Sequence, residues 1–348
     1  MPPKISSEWL SSILKMDLAG YTEEILNEGI QVGHLKKVRV ESKSGEQLSV
    51  VIKETRCGEE GKELSRTLGL ARESLFYAKF SALLTQEDVA RVFFAEGSTE
   101  SGETLLVLED LSDFVQSGYF FGPGNPMNWG KDLTALIAKG NGASAFQIAE
   151  AAFLLAARLH ATFWCSESLL EREWLKGSKW FAGTDASSWL EAQKGTRQLW
   201  EALKKKIEAG SCDVKWSKEV VEVIDASVTK AAAENAWQEY QSSITQRPFT
   251  LLHGDFHPGN MLFRPATSTD GAALKLIDWE MVTVGSGPQD LAQYMISHAT
   301  VACRREAEEK LLQAYHTLLQ KSIAEQTKHS SYSVEECRND YSSYSVEE

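Results

Sequence analysis

Apolar and polar positions fall into two rhythms along the chain. In the first, Val38 and Val40 alternate with Lys37, Arg39 and Glu41, Ser44-Gly45 interrupts, and Leu48-Ser49-Val50-Val51-Ile52 returns. Alternation of period two around a turn pair predicts a hairpin that ends at Lys53. Leu70, Leu75, Phe76 and Phe80 then predict a helix over roughly 64–84, and 89–96 with 104–108 read as two strands around Glu100-Ser101-Gly102. Upstream, Trp9, Leu10, Ile13, Leu14 and Leu18 at helical spacing predict a helix within 6–28, with Ser6 and Ser7 as N-cap candidates.

From Leu111 the rhythm changes. Residues 118–130 are rich in glycine, proline and asparagine and read as a loop. Phe146, Ala149, Phe153, Ala156, His160 and Phe163 recur every three or four residues, and Glu219 to Ser242 and Arg304 to Ala324 predict further amphipathic helices. Strands return at 250–252, 261–263 and 273–277. They flank the stretch from Leu251 to Glu280, LLHGDFHPGNMLFRPATSTDGAALKLIDWE. The pattern predicts an α+β chain with two lobes. Residues 1–110 form a small β-rich N-terminal lobe with a preceding helix, and 111–325 a larger, mainly helical C-terminal lobe. The remainder, 326–348, contains SSYSVEE twice, at 330–336 and 342–348. Polar and without a core-forming run, it is expected to be a disordered tail open to a protein partner.

Charge and cysteine usage narrow the class. Against 36 Lys and Arg stand 49 Asp and Glu, a net −13, which disfavours a nucleic-acid surface because phosphate contacts need a basic patch. The most apolar run, Ala149 to Trp164, includes Glu150, Arg158 and His160, so it predicts a core helix and no membrane span. Cysteines 57, 165, 212, 303 and 337 are odd in number and lack C-x-x-C spacing. That pattern suits reduced thiols and a cytoplasmic location.

The chemistry concentrates in the 251–280 stretch. Asp255 and Asn260 stand five apart across Pro258-Gly259, in H-x-D-x-x-x-x-N, and Asp278 follows the run K-L-I. A tight loop would present a carboxylate and an amide together, and the following hairpin would deliver a second carboxylate. Phosphoryl transfer from ATP uses such a set, with one Asp at the acceptor hydroxyl and an Asn and an Asp at Mg2+. Lys53, at the end of V-V-I-K, and Glu73, on the next helix, are the candidates for the ion pair that places an ammonium on the α- and β-phosphates, with Glu63 as the alternative. Glu109 and Asp110 end the last strand of the small lobe, where extended backbone can meet an adenine edge. Gly29-Ile-Gln-Val-Gly33-His34 is a degenerate phosphate loop or an ordinary turn.

Blander readings stand beside these. His253, Asp255 and His257 alternate as zinc or iron ligands can, but no second His/Cys/Asp cluster completes such a site. His160, on an apolar helix face, reads as a core histidine with a hydrogen-bond partner, and Asp290 as a helix cap or a brace for the loop. Seven of the ten tryptophans lie between 164 and 237. They read as core bulk or as a cage around an acceptor.

H-G-D-F-H-P-G-N, I-D-W-E, G-P-Q-D-L-A, V-I-K and L-H-A-T-F-W together resemble the aminoglycoside/choline-kinase-like phosphotransferases. The L-H-A-T-F-W run and the tryptophan-rich helices are most similar to the ecdysteroid-kinase-like branch. The resemblance spans roughly 25–325 and implies a two-lobed protein-kinase-like fold that phosphorylates a small-molecule hydroxyl with ATP and Mg2+. It implies Asp255 as catalytic base, His253 as the residue bracing the loop, Asn260 and Asp278 as magnesium ligands and Lys53 as the phosphate lysine. A nucleotide-binding pseudokinase or scaffold is the alternative, motivated by the degenerate glycine loop and the repeated tail. Protein kinase activity is disfavoured, because D-F-G and A-P-E landmarks are missing.

Overall fold

The computed structural model describes residues 5–26, 33–55, 58–123, 125, 128–176, 185–212, 214–266, 272–326 and 331–344. Helix α1 (Ser7–Leu14) starts where the Ser6 hydroxyl accepts the Trp9 amide at 3.2 Å, and it ends at Lys15, which takes a left-handed φ of 59°. The helix expected over 6–28 therefore stops early. Leu18–Ile25 instead forms β1, whose Tyr21, Thr22 and Ile25 suit an edge strand, and which pairs antiparallel with β2 (Gly33–Ser42). The predicted hairpin is β2 and β3 (Gln47–Thr55). With β4 (Val92–Gly97) and β5 (Thr104–Glu109) they make one antiparallel sheet in the order β1-β2-β3-β5-β4.

Period-two alternation decides which side each residue faces. Val38, Val40, Val50, Ile52, Leu105 and Val107 are buried together with Leu10 and Leu14 of α1. Lys53, one residue on from Ile52, points to the opposite face. That face is covered by α3 (Ala71–Phe80), which follows α2 (Glu59–Leu68). The single helix predicted over 64–84 is thus two, separated at Gly69, whose φ of 77° closes α2.

The larger lobe contains β6 (Val115–Gln116), α4 (Leu133–Ala138), α5 (Ala145–Thr162), α6 (Ala186–Glu208), α7 (Lys218–Ala231) and α8 (Ala236–Thr245). After these come β7 (Thr250–Leu252), β8 (Met261–Arg264), β9 (Ala273–Leu276), β10 (Thr283–Gly285), α9 (Pro288–His298), α10 (Val301–Glu325) and α11 (Val334–Ser342). Helix α5 packs lengthwise on α10, burying Ile148, Phe153, Leu159, Leu311, Tyr315 and Leu319 in one core. Phe76, Tyr77, Phe80 and Leu106 of the small lobe belong to that same core. The two-lobed α+β arrangement is as expected, and the lobes share apolar contacts. Among the described residues, no helix is long and apolar enough to cross a membrane.

The tail departs from expectation. Residues 334–342 fold as α11, opened by a capping box between Ser333 and Glu336. Tyr332, Cys337 and Tyr341 are buried against Trp164 and the α9–α10 pair. A run expected to be disordered and open to a partner docks on its own chain, because three core-forming side chains sit within ten mostly polar positions. The first heptad copy starts this helix. The second begins at its end with Ser342 and Ser343, and residues 345–348 lie outside the described residues.

Candidate active site

The N-terminal half of the site is an ion cluster. Lys53 Nζ lies 2.7 Å from Glu73 Oε2, 3.0 Å from Asp278 Oδ1 and 2.5 Å from Glu280 Oε1. Glu73 is buried on the first turn of α3, so the lysine is held from its own lobe and reaches across to the other. Glu63 instead pairs with Arg66 on the surface of α2 and drops out as an alternative. Burial alone would lower the Lys53 pKa. The three carboxylates outweigh it and hold the ammonium well above its ordinary range. Glu280 shows the reverse imbalance: burial, offset by Lys53 and reinforced by Asp278 and Glu73, pushes its carboxyl up to about 7. Three acidic groups around one lysine leave excess negative charge.

The second half is the loop between β7 and β8. Asn260 Nδ2 donates to Asp255 Oδ2 and to the Asp255 carbonyl, both at 3.0 Å, and Gln293 Nε2 of α9 donates to Asp255 Oδ1 at 3.0 Å. His257 Nδ1 accepts the Gly259 amide, which leaves Nε2 facing Asp255 Oδ2 at 3.4 Å. Burial would raise the Asp255 pKa, but the His257 hydrogen bond, the electrostatic influence of the His257 and His253 rings and the Asn260 hydrogen bond together lower it. The carboxylate is ionised, and its oxygens already face donors.

His253 is the brace of this loop. Its Nδ1 accepts the Asp255 amide at 3.2 Å, so Nε2 carries the proton and donates to the Ile277 carbonyl at 2.9 Å. Ile277 also donates its amide to the Asn260 carbonyl at 3.0 Å. The residue before Asp278 is thus tied to both ends of the H-x-D-x-x-x-x-N segment. With both His253 nitrogens engaged, and His257 occupied by Gly259 and Asp255, the zinc arrangement has no free imidazole lone pair to offer.

Asp290 completes the support. Its Oδ2 accepts the His253 amide at 2.8 Å and its Oδ1 the Gly254 amide at 3.1 Å. His160 Nε2 lies 3.4 Å from Oδ2, and His160 Nδ1 faces the Tyr315 hydroxyl at 2.9 Å. His160 is a buried core histidine with two partners, and Asp290 is a brace, since α9 opens at Gly287. Gly254 must be glycine: φ is 79°, and a Cβ there would lie 2.1 Å from the Met281 carbonyl oxygen.

Some expected residues fall elsewhere. The Glu109 carboxylate pairs with Lys275 and accepts the Arg91 amide, and its own N–H donates to the Arg91 carbonyl at 2.9 Å. Its side chain is outside the ion cluster, and the expectation for Glu109 concerned the extended backbone that follows it. Of the phosphate-loop candidate 29–34, residues 29–32 lie outside the described residues. Trp189, Trp237 and Tyr240 pack on one another with ring centroids 5.1–6.0 Å apart. Rings in mutual contact leave no gap for a cation between them, so Trp189 and Trp237 form a half-buried aromatic cluster at the surface of the helical lobe; Trp180 lies outside the described residues. Glu280 and Gln293 received no role from the sequence, although Glu280 stood inside I-D-W-E. Gln293 sits three residues from Asp290 among the buried residues Leu291, Ala292, Tyr294 and Met295, and that polar i,i+3 pair was the available signal.

Residues 160–347, more than half of the chain, match the profile of the family DUF1679, described as "Uncharacterized oxidoreductase dhs-27". The chain belongs to this family. No curated protein matches this DUF1679 member in sequence. Among solved structures it is similar to a Plasmodium vivax ethanolamine kinase, at 13% identity over 93% of this chain and 72% of that one, TM-score 0.44. A choline/ethanolamine kinase family protein from Mesorhizobium loti matches at 14% over 86% and 71%, TM-score 0.39. An amicoumacin kinase in complex with AMP-PNP, Ca2+ and Ami matches at 12% over 97% and 92%, TM-score 0.41.

Proposed function

We propose that this DUF1679 chain is an ATP- and Mg2+-dependent phosphotransferase that phosphorylates a hydroxyl group of a small molecule. The observation that carries the reading is Lys53, held by buried Glu73 and reaching Asp278 across the lobes, beside a loop that presents Asp255 and Asn260 together. Lys53 would neutralise phosphate oxygens, and Asp255 would orient the acceptor hydroxyl and take its proton. His253 holds the loop and Gln293 the second Asp255 oxygen.

The donor set suits a hard divalent cation. Glu73, Asp278 and Glu280 offer carboxylate oxygens within 4.8 Å of one another. Asn260 uses its Nδ2 on Asp255, which frees its amide oxygen. Asp278 and Asn260 would hold Mg2+, with Glu280 beside them. When bound, the ion supplies charge neutralisation on the triphosphate. The backbone after Glu109, at the junction of lobes 1–110 and 111–325, would meet the adenine edge. The description of the family as an oxidoreductase finds no favouring observation here: the described sheets are antiparallel, whereas a dinucleotide crevice is built on a parallel one. The ecdysteroid-kinase-like affinity of L-H-A-T-F-W and a cytoplasmic location are part of this proposal. The acceptor is not carried over from any relative.

The test is Mg-ATP calorimetry on purified protein, followed by a screen of hydroxyl metabolites for phosphorylated products by mass spectrometry. Asp255→Asn should abolish turnover with nucleotide binding intact. Nucleotide binding with no transfer over the whole panel would make the chain a nucleotide-binding pseudokinase or scaffold. No binding at all would end both readings.

A further inference from the structure

The buried acid Asp340, on α11, lies far from the ion cluster in sequence but is wired to its support. Oδ1 accepts Arg247 Nη1 at 3.0 Å, and Oδ2 accepts the Tyr332 hydroxyl at 2.8 Å and the Ser286 hydroxyl at 3.1 Å. Ser286 opens the turn into α9. Its carbonyl accepts the Gln289 amide at 3.0 Å, and the Gly287 carbonyl accepts the Asp290 amide at 3.2 Å. The turn has no slack on its other side. A Cβ at Gly287 would lie 2.4 Å from the Tyr315 hydroxyl of α10 and 2.8 Å from His160 Nδ1 of α5. Three helices therefore clamp the turn whose Asp290 carboxylate holds the amides of His253 and Gly254, the residues that precede Asp255.

We propose that Asp340 is a positioning residue: through Ser286 and Asp290, the C-terminal helix sets the orientation of the Asp255 loop. A tail that needed only an anchor has one already in Tyr332, Cys337 and Tyr341. A buried carboxylate is costly unless it is satisfied, and here every partner found for it is a hydrogen-bond donor, one of them on the turn itself. The chain of contacts is short: Asp340 to Ser286, one turn of backbone to Asp290, then two amides to the loop.

The kinetic arm of the test rests on the phosphotransferase reading; the exchange arm does not. Full-length Ser286→Ala, Asp340→Asn and Ser286→Thr are compared with Leu319→Ala, a core variant outside the network. The readouts are amide hydrogen exchange at His253 and Gly254, kcat, KM and the unfolding midpoint. Ser286→Ala and Asp340→Asn should speed exchange at those two amides at least fivefold and lower kcat about five- to tenfold, with KM for ATP within twofold. Ser286→Thr, which keeps the hydroxyl, should retain both. Leu319→Ala should lower the midpoint without selectively exposing these amides. Unchanged exchange in both network variants, or losses that merely track the midpoint in all four, would overturn the proposal. If wild-type protein transfers no phosphate, the phosphotransferase reading fails, and the exchange result still decides the role of Asp340.

Discussion

Replacing Asp290 with alanine tests the support of the Asp255 loop most directly. The carboxylate is fully buried and accepts two backbone amides at 2.8 and 3.1 Å, with His160 at 3.4 Å. A hydrogen bond to a charged group contributes about 1.5–3 kcal/mol, and an orphaned buried donor costs about 1–3 kcal/mol. Removing one member of such a buried network is expected to cost about 3–5 kcal/mol. Against a total stability on the order of 5–15 kcal/mol, the variant should still fold, with Tm lower by about 4–7 °C. Activity should fall further than stability. A loop displaced by about 1 Å at the Asp255 carboxylate would lose on the order of 100-fold in rate, whereas Mg-ATP affinity should fall less, because Lys53 and Glu73 do not touch Asp290 and only Asn260 of the magnesium pair lies on the displaced loop. Urea unfolding, calorimetry with Mg-ATP and initial rates on the same preparation separate the three quantities. A stability change below about 0.5 kcal/mol, or loss of nucleotide binding with turnover intact, would refute the reasoning.

Three further outcomes follow from the same geometry. Lys53→Met should weaken Mg-ATP binding and leave Glu73, Asp278 and Glu280 without a counter-charge; affinity equal to wild type by calorimetry would contradict this. Burial, with the adjacent His257 charge, holds the His298 imidazole down at about 4, below its ordinary 6.5. A depressed base is neutral in the folded state, so its share of stability is present above 6.5 and lost as pH falls from 6.5 through 4. His298→Gln should therefore flatten the acid limb of the unfolding midpoint in that window, and an unchanged limb would count against it. Cys337 is buried and its thiol is pushed up to about 12, while Cys165 is exposed. Iodoacetamide at pH 8 should label Cys165 in native protein and reach Cys337 only after unfolding, read by peptide mass spectrometry.

What could be read from sequence was local or periodic. Asp255 and Asn260 lie five residues apart, so one Pro-Gly loop fixes their meeting. Lys53 was legible because alternation puts it opposite Ile52, and Glu73 because it opens the helix on that face. Gln293 and Asp290 were harder. They reach the loop from 38 and 37 positions away, and nothing in a helix pattern says which polar residue turns inward. The tail misled for a compositional reason. Averaged over 326–348 it is polar, yet Tyr332, Cys337 and Tyr341 fall on the one face that meets the core. The early strand β1 was hidden by Leu18, which continues the spacing of α1 but belongs to the sheet.

Asp278 is where these supports converge. It is not glycine, yet its φ is 69°, a left-handed conformation that costs an ordinary residue roughly 1–2 kcal/mol. Both neighbours are fixed. Ile277 is tied by its amide to Asn260 and by its carbonyl to His253. Trp279 stacks on Phe76 of α3 with centroids 3.6 Å apart and planes at 10°, and the His253 ring lies against it at 4.7 Å. The strain is thus held from both lobes, by hydrogen bonds on the side of the Asp255 loop and by an aromatic stack on the α3 side. Because α3 also carries Glu73, a shift of that helix would move the Lys53 clamp and the Trp279 wedge together. The Lys53 ammonium and the Asp278 backbone therefore both rest on α3, the first through Glu73 and the second through the Trp279 stack on Phe76.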